Sequence, residues 1–181
     1  QWLTVKERNK LIRVVEQSGN VRDIAIIVLL LNTGLRLEEL TALTWADIKI
    51  TDRKGVLTVR QGKGGKYREI PLNNHARRVL FDLDDGKLGE ETMVFHSQRG
   101  VLQKRGVQFI VNKYAKMCDF PKKVSVHSLR HTFCKHLADN NVSLNVIAQL
   151  AGHSDLNVTK NYLTPSVDDL QSEMDRVFGD N

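Results

Sequence analysis

The spacing of hydrophobic residues in the first quarter of the chain is helical. Apolar residues recur every three or four positions after Thr4, and Glu7 lies at the capping-box position, so a helix is predicted to begin there. Residues 20–33 are apolar on nearly every side and are followed by Gly34, which predicts a core helix that ends at this glycine. A short helix is predicted over residues 37–43.

The pattern then changes to short segments in which apolar and polar residues alternate. These predicted strands cover 45–50, 56–61 and 66–72, and glycine-bearing turns at 51–55 and 62–65 separate them. Helical spacing resumes at 74–83, at 104–118 and from 127 to the end, with breaks near 140–141, 152–154 and 165. The chain is therefore predicted to have an α+β, mainly α-helical fold, a helical domain with a small three-stranded antiparallel sheet.

Composition indicates a globular protein with an aliphatic core and a basic surface. Hydrophobic residues make up 41% of the 181 positions and aromatic residues 6%, and the formal net charge is +6. An excess of lysine and arginine favours a polyanionic partner. No apolar run reaches the roughly 18 residues that a membrane span needs. Cys118 and Cys134 are the only cysteines, which excludes a disulfide scaffold and suits a reducing compartment.

Two groups of basic residues in the first half could bind a phosphate. Arg36 lies at a predicted helix start, where the helix dipole disfavours a cation, and Glu39 could hold its side chain with the guanidinium turned to a ligand. A surface ion pair has the same spacing. Lys63 and Lys66 lie in or beside the glycine-rich turn, from which a lysine can reach a phosphate, although most lysines in such turns are solvated.

The second half contains histidines and a tyrosine that could carry chemistry. His127, Arg130 and His131 lie at i, i+3 and i+4 near a helix start, so they share one face that suits an oxyanion. The two histidines also have zinc-ligand spacing, but no glutamate base or further ligand cluster accompanies them. Residues 143–163 have a helix, glycine turn, helix pattern typical of a helix-turn-helix DNA reader. Tyr162 alone would be a packed aromatic, because tyrosine has a pKa of about 10.

Taken in order, these residues resemble the tyrosine site-specific recombinase, or phage integrase, family. The matching stretches are TGLRLEEL (33–40), GKGGKYREIPL (62–72), HSLRHTF (127–133), AGH (151–153) and KNYLTP (160–165). By resemblance, the six active-site positions are Arg36, Lys63, His127, Arg130, His153 and Tyr162, with Tyr162 as the nucleophile. Glu39 fills the accessory acidic position, and Lys66 and Arg68 are assigned to DNA binding. One departure is Ala151, where many members have leucine.

The resemblance implies an enzyme that cleaves and rejoins double-stranded DNA through a 3′-phosphotyrosyl intermediate, without a metal or a cofactor. Its partners would be attachment or crossover sites, and the full-length protein would act as a tetramer on DNA in the cytoplasm, associated with the nucleoid. A type IB topoisomerase-like enzyme and a non-catalytic helix-turn-helix module are the alternatives.

The same resemblance predicts the domain organisation. Residues 1–181 would form the catalytic domain, of the tyrosine recombinase type, and the family's N-terminal core-binding and arm-binding domains would be absent. The chain starts without methionine at a helix start, so we expect it to be a fragment. Residues 166–181 would form an amphipathic helix that packs on its own core or docks onto a neighbouring protomer.

Overall fold

Residues 1–60, 67–84, 86, 89–98 and 100–152 are described by the computed structural model, and they form seven α-helices and two small antiparallel sheets. The helices are α1 (Val5–Gln17), α2 (Val21–Thr33), α3 (Leu37–Thr41), α4 (Asn74–Leu83), α5 (Lys104–Met117), α6 (Val126–Asp139) and α7 (Leu144–Ala151). The strands are β1 (Ile48–Ile50), β2 (Gly55–Arg60), β3 (Tyr67–Pro71), β4 (His96–Ser97) and β5 (Gly100–Val101). The predicted α+β class is confirmed.

The first two helices begin where the sequence predicts, and the second also ends at the predicted glycine. The Thr4 hydroxyl accepts a hydrogen bond from the Glu7 N–H, and the Glu7 carboxylate accepts one from the Thr4 N–H, so α1 starts at a complete capping box. Asn20 caps α2, which ends at Gly34 in the left-handed conformation with a φ of 62°. Most residues of α2 are buried, and the helix packs against α1, α4, α5 and α6 at the centre of the core.

The three predicted strands form one antiparallel sheet in the order β1-β2-β3, with Leu57 paired to Ile70 and both side chains buried. The first predicted strand is too long, because Trp45–Asp47 forms a 3₁₀ turn. The Asp47 carboxylate accepts hydrogen bonds from the N–H and the hydroxyl of Thr44, and these local bonds hold the backbone out of the sheet.

The end of α3 and one β-hairpin also differ from the predictions. α3 ends at Thr41, two residues early, where the Thr41 hydroxyl donates to carbonyls of the preceding turn. The β4–β5 hairpin, which pairs His96 with Val101, was not predicted, since two-residue strands are too short to show alternation. The break near 140–141 is confirmed: α6 ends at Asp139, and Asn141 has a φ of 58°.

The described helices and strands enclose an aliphatic core, as the composition indicates. Cys118 and Cys134 are buried thiols rather than a disulfide. No described helix combines the length and the apolarity needed to cross a lipid bilayer. The predicted C-terminal helix at 166–181 and the second half of the helix-turn-helix pattern lie outside the described residues.

Candidate active site

Arg36 lies between the end of α2 and the start of α3, and Glu39 holds it as the spacing predicts. Its backbone N–H donates to Glu39 Oε2 at 2.7 Å, and its Nη1 donates to Glu39 Oε1 at 2.9 Å. The second guanidinium nitrogen, Nη2, donates to the backbone oxygen of Gly152 at 2.6 Å. The side chain remains 37% exposed, so part of the guanidinium faces solvent.

Glu39 is a largely buried carboxylate, with 11% of its side chain exposed, between two arginines. Arg68 approaches it from β3 as a bidentate partner, with Nη1 on Oε1 and Nη2 on Oε2, each at 2.9 Å. Burial alone would raise the pKa of Glu39, but the hydrogen bonds and positive charges of Arg68 and Arg36 outweigh it and lower the pKa from 4.5 to about 2. Glu39 is therefore ionised at neutral pH.

This pairing makes a prediction for acid stability. A carboxyl group with a lowered pKa in the folded state stabilises the protein above its unfolded pKa, and that contribution disappears as the pH falls from about 4.5 towards 2. The shift corresponds to about 3 kcal/mol in the free energy of unfolding. Glu39→Gln should lower stability at pH 7 and flatten the fall between pH 5 and pH 2, measured by denaturant titration at each pH.

The matched control is the neighbouring residue. Glu38 lies on the same helix and pairs with Lys104, but the side chain is 62% exposed. Glu38→Gln should keep the acid-dependent fall of the unmutated protein, because an exposed ion pair contributes little. Equal pH dependence in the two variants would contradict the assignment of this stability to Glu39.

Arg130 is buried between the end of α2 and the end of α7. It is 5% exposed, and its Nη1 donates to the oxygen of Gly34 at 2.5 Å. Gly34 must be glycine for two reasons: its φ is positive, and a Cβ there would lie 2.3 Å from the Phe133 ring. Burial lowers the pKa of Arg130 and the nearby charge of Arg36 lowers it further, so the two cations are neighbours.

The C-terminal end of α7 brings three arginines together. The last carbonyls of a helix have no partner within the helix, and they carry its negative partial charge. Three consecutive carbonyls of this end each accept a hydrogen bond from a different arginine. The bonds are Arg68 Nε to Leu150 at 2.9 Å, Arg130 Nη2 to Ala151 at 2.7 Å and Arg36 Nη2 to Gly152 at 2.6 Å. His153 is the next residue in the sequence.

His127 and His131 contact each other one turn apart on α6. Their rings meet edge to face with centroids 4.1 Å apart. Burial, and then the charge of Arg130, lowers the pKa of His127; burial and the charge of His127 lower the pKa of His131 to about 4. The Arg130 side chain extends from the same part of α6 into the interior, where it donates to Gly34 and Ala151. Among the described residues, no group of three or more His, Cys, Asp or Glu side chains could hold a metal.

The family model described as the phage integrase family matches residues 1–168. The chain belongs to this family. The integrase-family match spans the end of α2, the β2–β3 region, α6 and α7, and so it includes each element that contributes an arginine to the site.

Curated relatives of this integrase-family chain carry recombinase names. It is 35% identical over 164 residues to tyrosine recombinase XerC of Pelobacter propionicus, covering 89% of this chain and 53% of the relative. It is 33% identical over 178 residues to tyrosine recombinase XerA of Pyrococcus furiosus, covering 96% of this chain and 60% of the relative. The chain thus spans about half the length of the XerC relatives it matches.

Solved structures share the fold. The crystal structure of XerA recombinase superposes with a TM-score of 0.83 at 26% identity, covering all of this chain and 66% of that one. The XerH recombinase in its pre-cleavage complex with difH substrate superposes with a TM-score of 0.80 at 21% identity, covering 95% of this chain and 53% of that one. The XerH likeness concerns the fold alone.

The integrase-family structure describes five of the nine residues assigned from the sequence. It brings Arg36, Glu39, Arg68 and Arg130 together around the end of α7, with His127 beside them on α6. The other four, Lys63, Lys66, His153 and Tyr162, lie outside the described residues.

The side chain of Arg68, which was assigned to DNA binding, lies in the interior against Glu39 and the end of α7. Its side chain is 8% exposed, and its three nitrogens all donate to Glu39 or to Leu150. A signal for this burial was present in the sequence. Successive side chains of a strand point to opposite faces, so Arg68 shares the inward face of β3 with Ile70, while Tyr67 and Glu69 point outwards.

Proposed function

We propose that this chain is the DNA-cleaving and rejoining part of a site-specific tyrosine recombinase. The observation that carries the proposal is the convergence of Arg36 and Arg130 at the end of α7, directly before His153 in the sequence. Glu39 and the carbonyl groups at the end of α7 offset the repulsion between these two cations. A phosphodiester that gains negative charge during reaction would be attracted to both of them.

The two arginines are suited to stabilise the transition state. A guanidinium has five N–H donors, and the hydrogen bonds to backbone oxygens use one donor on Nη2 of Arg36 and one each on Nη1 and Nη2 of Arg130. These bonds fix the positions of both guanidinium groups before any substrate binds. Donors held in place in this way stabilise developing charge on non-bridging oxygens without a cost for reorganisation during the reaction.

In the proposed reaction, the Tyr162 oxygen forms a bond to phosphorus as the bond from phosphorus to the 5′-oxygen breaks. Lys63 donates a proton to the leaving 5′-oxygen, and His153 adds a hydrogen bond to the phosphate. His127 accepts the tyrosine proton, which suits its lowered pKa because the ring is neutral near pH 7. The products are a 3′-phosphotyrosine and a 5′-hydroxyl, and attack by a second 5′-hydroxyl reverses the step. The phosphotyrosine conserves the bond energy, so the reaction requires neither ATP nor a metal.

The proposed substrates are double-stranded attachment or crossover sites. We propose that the full-length protein acts on them as a tetramer, in the cytoplasm and associated with the nucleoid. The chain 1–181 would be its catalytic domain, with residues 166–181 docking in cis or onto a neighbour. The positive net charge of +6 supports a polyanionic partner, because lysine and arginine that neutralise phosphates release counterions from DNA.

A nicked suicide duplex tests the proposal. The duplex has the sequence that flanks the gene. Because it is nicked, cleavage releases a short strand, which cannot be rejoined, and the covalent complex is trapped. We expect a protein–DNA adduct on a denaturing gel, formed equally well in excess EDTA. Binding without an adduct would indicate the non-catalytic module, and relaxation of supercoiled plasmids regardless of sequence would indicate the topoisomerase. An adduct that requires a divalent ion would contradict the mechanism.

A further inference from the structure

We infer that Arg68 is a positioning residue for the cleavage reaction, which holds Glu39 and the end of α7 and thereby sets Arg36 against the phosphate. The inference rests on the proposed function and assigns Arg68 a role different from DNA contact. Arg68 has no part in the chemistry itself, because its side chain is buried and faces the interior side of β3.

The first observation is that Arg68 and Arg36 bind the same two oxygen atoms. Glu39 Oε1 accepts from Nη1 of both arginines, and Oε2 accepts from Nη2 of Arg68 and from the backbone N–H of Arg36. If Arg36 were its only partner, the Glu39 carboxylate could rotate about the Cγ–Cδ bond. The bidentate pair with Arg68 removes that rotation and so fixes the direction in which Glu39 holds the Arg36 guanidinium.

The second observation is the contact of Arg68 with α7. Its Nε donates to the Leu150 oxygen at 2.9 Å, and its guanidinium lies against Gly152, where a Cβ would be only 2.8 Å from Nη1. Gly152 also has a φ of 67°, so glycine is required at this position by conformation and by space. One side chain thus connects Glu39, the acidic partner of Arg36, with the same end of α7 whose Gly152 oxygen Arg36 binds.

Replacement by lysine separates the two possible roles of Arg68. At a phosphate contact, lysine keeps the positive charge and still binds the phosphate as a point charge. In a buried pair that needs three donors in one plane, it cannot make the same bonds. A DNA-contacting Arg68 therefore predicts that Arg68→Lys behaves like the unmutated protein, whereas a positioning Arg68 predicts a loss in the rate of cleavage.

The experiment compares Arg68→Lys with Arg60→Lys. Arg60 lies on β2, is 66% exposed and pairs with Asp47, so its replacement is the matched change outside the site. We measure the rate of adduct formation at saturating suicide duplex, the Kd for DNA at two salt concentrations, and the melting temperature. For Arg68→Lys we expect a rate lowered roughly tenfold or more, since small displacements of catalytic groups are costly. Its Kd and salt dependence should be unchanged, and Arg60→Lys should match the unmutated protein in all respects.

Three results would overturn the inference: an unmutated rate for Arg68→Lys, a weakened DNA affinity with a smaller salt dependence, or an effect that simply adds to that of Glu39→Gln. If Arg68 acts through Glu39, the double variant should be no slower than Glu39→Gln alone. If Arg68→Lys does not fold, Glu39→Asp replaces it, because the shortened carboxylate withdraws from the arginine fork and keeps its charge.

A measurement without activity separates this inference from the proposed function. The Glu39 carboxyl is titrated by carbon-13 NMR in the unmutated protein and in Arg68→Lys. A rise of its pKa from about 2 towards 4.5 in the variant supports the inference even if no DNA is cleaved. An unchanged pKa overturns it, whereas failure of the unmutated protein to form any adduct counts against the proposed function.

Discussion

Tyr162→Phe is expected to abolish the covalent protein–DNA adduct and to leave non-covalent DNA binding nearly unchanged. The substitution removes only the hydroxyl oxygen, which is the atom proposed to bond to phosphorus. No other side chain can replace it, because the 3′-phosphotyrosine forms on this oxygen. Labelled suicide duplexes on denaturing gels measure the adduct, and gel shift measures binding.

The chain offers a matched control for this change. Tyr67 begins β3 and is 71% exposed, and it belongs to the same stretch of basic residues as Lys63. Tyr67→Phe should form the adduct at the unmutated rate. An adduct that persists in Tyr162→Phe would remove Tyr162 as the nucleophile, and loss of the adduct in Tyr67→Phe would place Tyr67 in that role.

The second large effect concerns Lys63 and the leaving group. An alkoxide needs a proton as it leaves, whereas a thiolate leaves readily because a thiol has a pKa of about 8.5. Lys63→Ala should therefore lose cleavage of an ordinary duplex and regain it when sulfur replaces the bridging 5′-oxygen. General acid catalysis contributes on the order of 10² to 10⁴ in rate, and the loss should fall in that range. Rates of adduct formation on the two duplexes give the comparison.

The arginines should respond differently to the same sulfur substitution. Arg36→Ala and Arg130→Ala should stay impaired on both duplexes, since their donors act on the non-bridging oxygens whatever the leaving group. Lys66→Ala should resemble the unmutated protein on both. If sulfur rescues Lys66→Ala instead of Lys63→Ala, Lys66 is the general acid. If both variants are impaired and sulfur rescues neither, His127 becomes the next candidate for the general acid.

The predictable parts of the fold are those decided by neighbouring residues. Thr4 and Glu7 mark the start of α1 because a capping box lies within four residues, and Gly34 marks the end of α2 because few other residues adopt a positive φ. The 3₁₀ turn at Trp45–Asp47 escaped prediction because it depends in part on distant bonds. The N–H groups of Trp45 and Ala46 donate to the oxygens of Thr92 and Glu90.

In the site, too, contacts between neighbouring residues were predictable and contacts between distant residues were not. The pair of Arg36 and Glu39 follows from a spacing of three residues, and it was predicted. The bond from Arg36 to Gly152 spans 116 positions, and no local pattern encodes it. Arg68 was assigned to DNA binding by resemblance, although the alternation along β3 already predicted that its side chain points to the buried face. Periodicity predicts the face to which a side chain points, whereas its contact partners depend on the tertiary fold.

The three arginines on the end of α7 also determine where the chain can bend. Each carbonyl from Leu150 to Gly152 is bonded to a cation from another part of the fold, namely β3, α6 and the loop between α2 and α3. Withdrawal of this end would leave one donor of each arginine without its acceptor and three positive charges close together, which opposes the movement. The end of α7 is therefore a point at which the chain resists bending, and the three arginines keep their arrangement together with it.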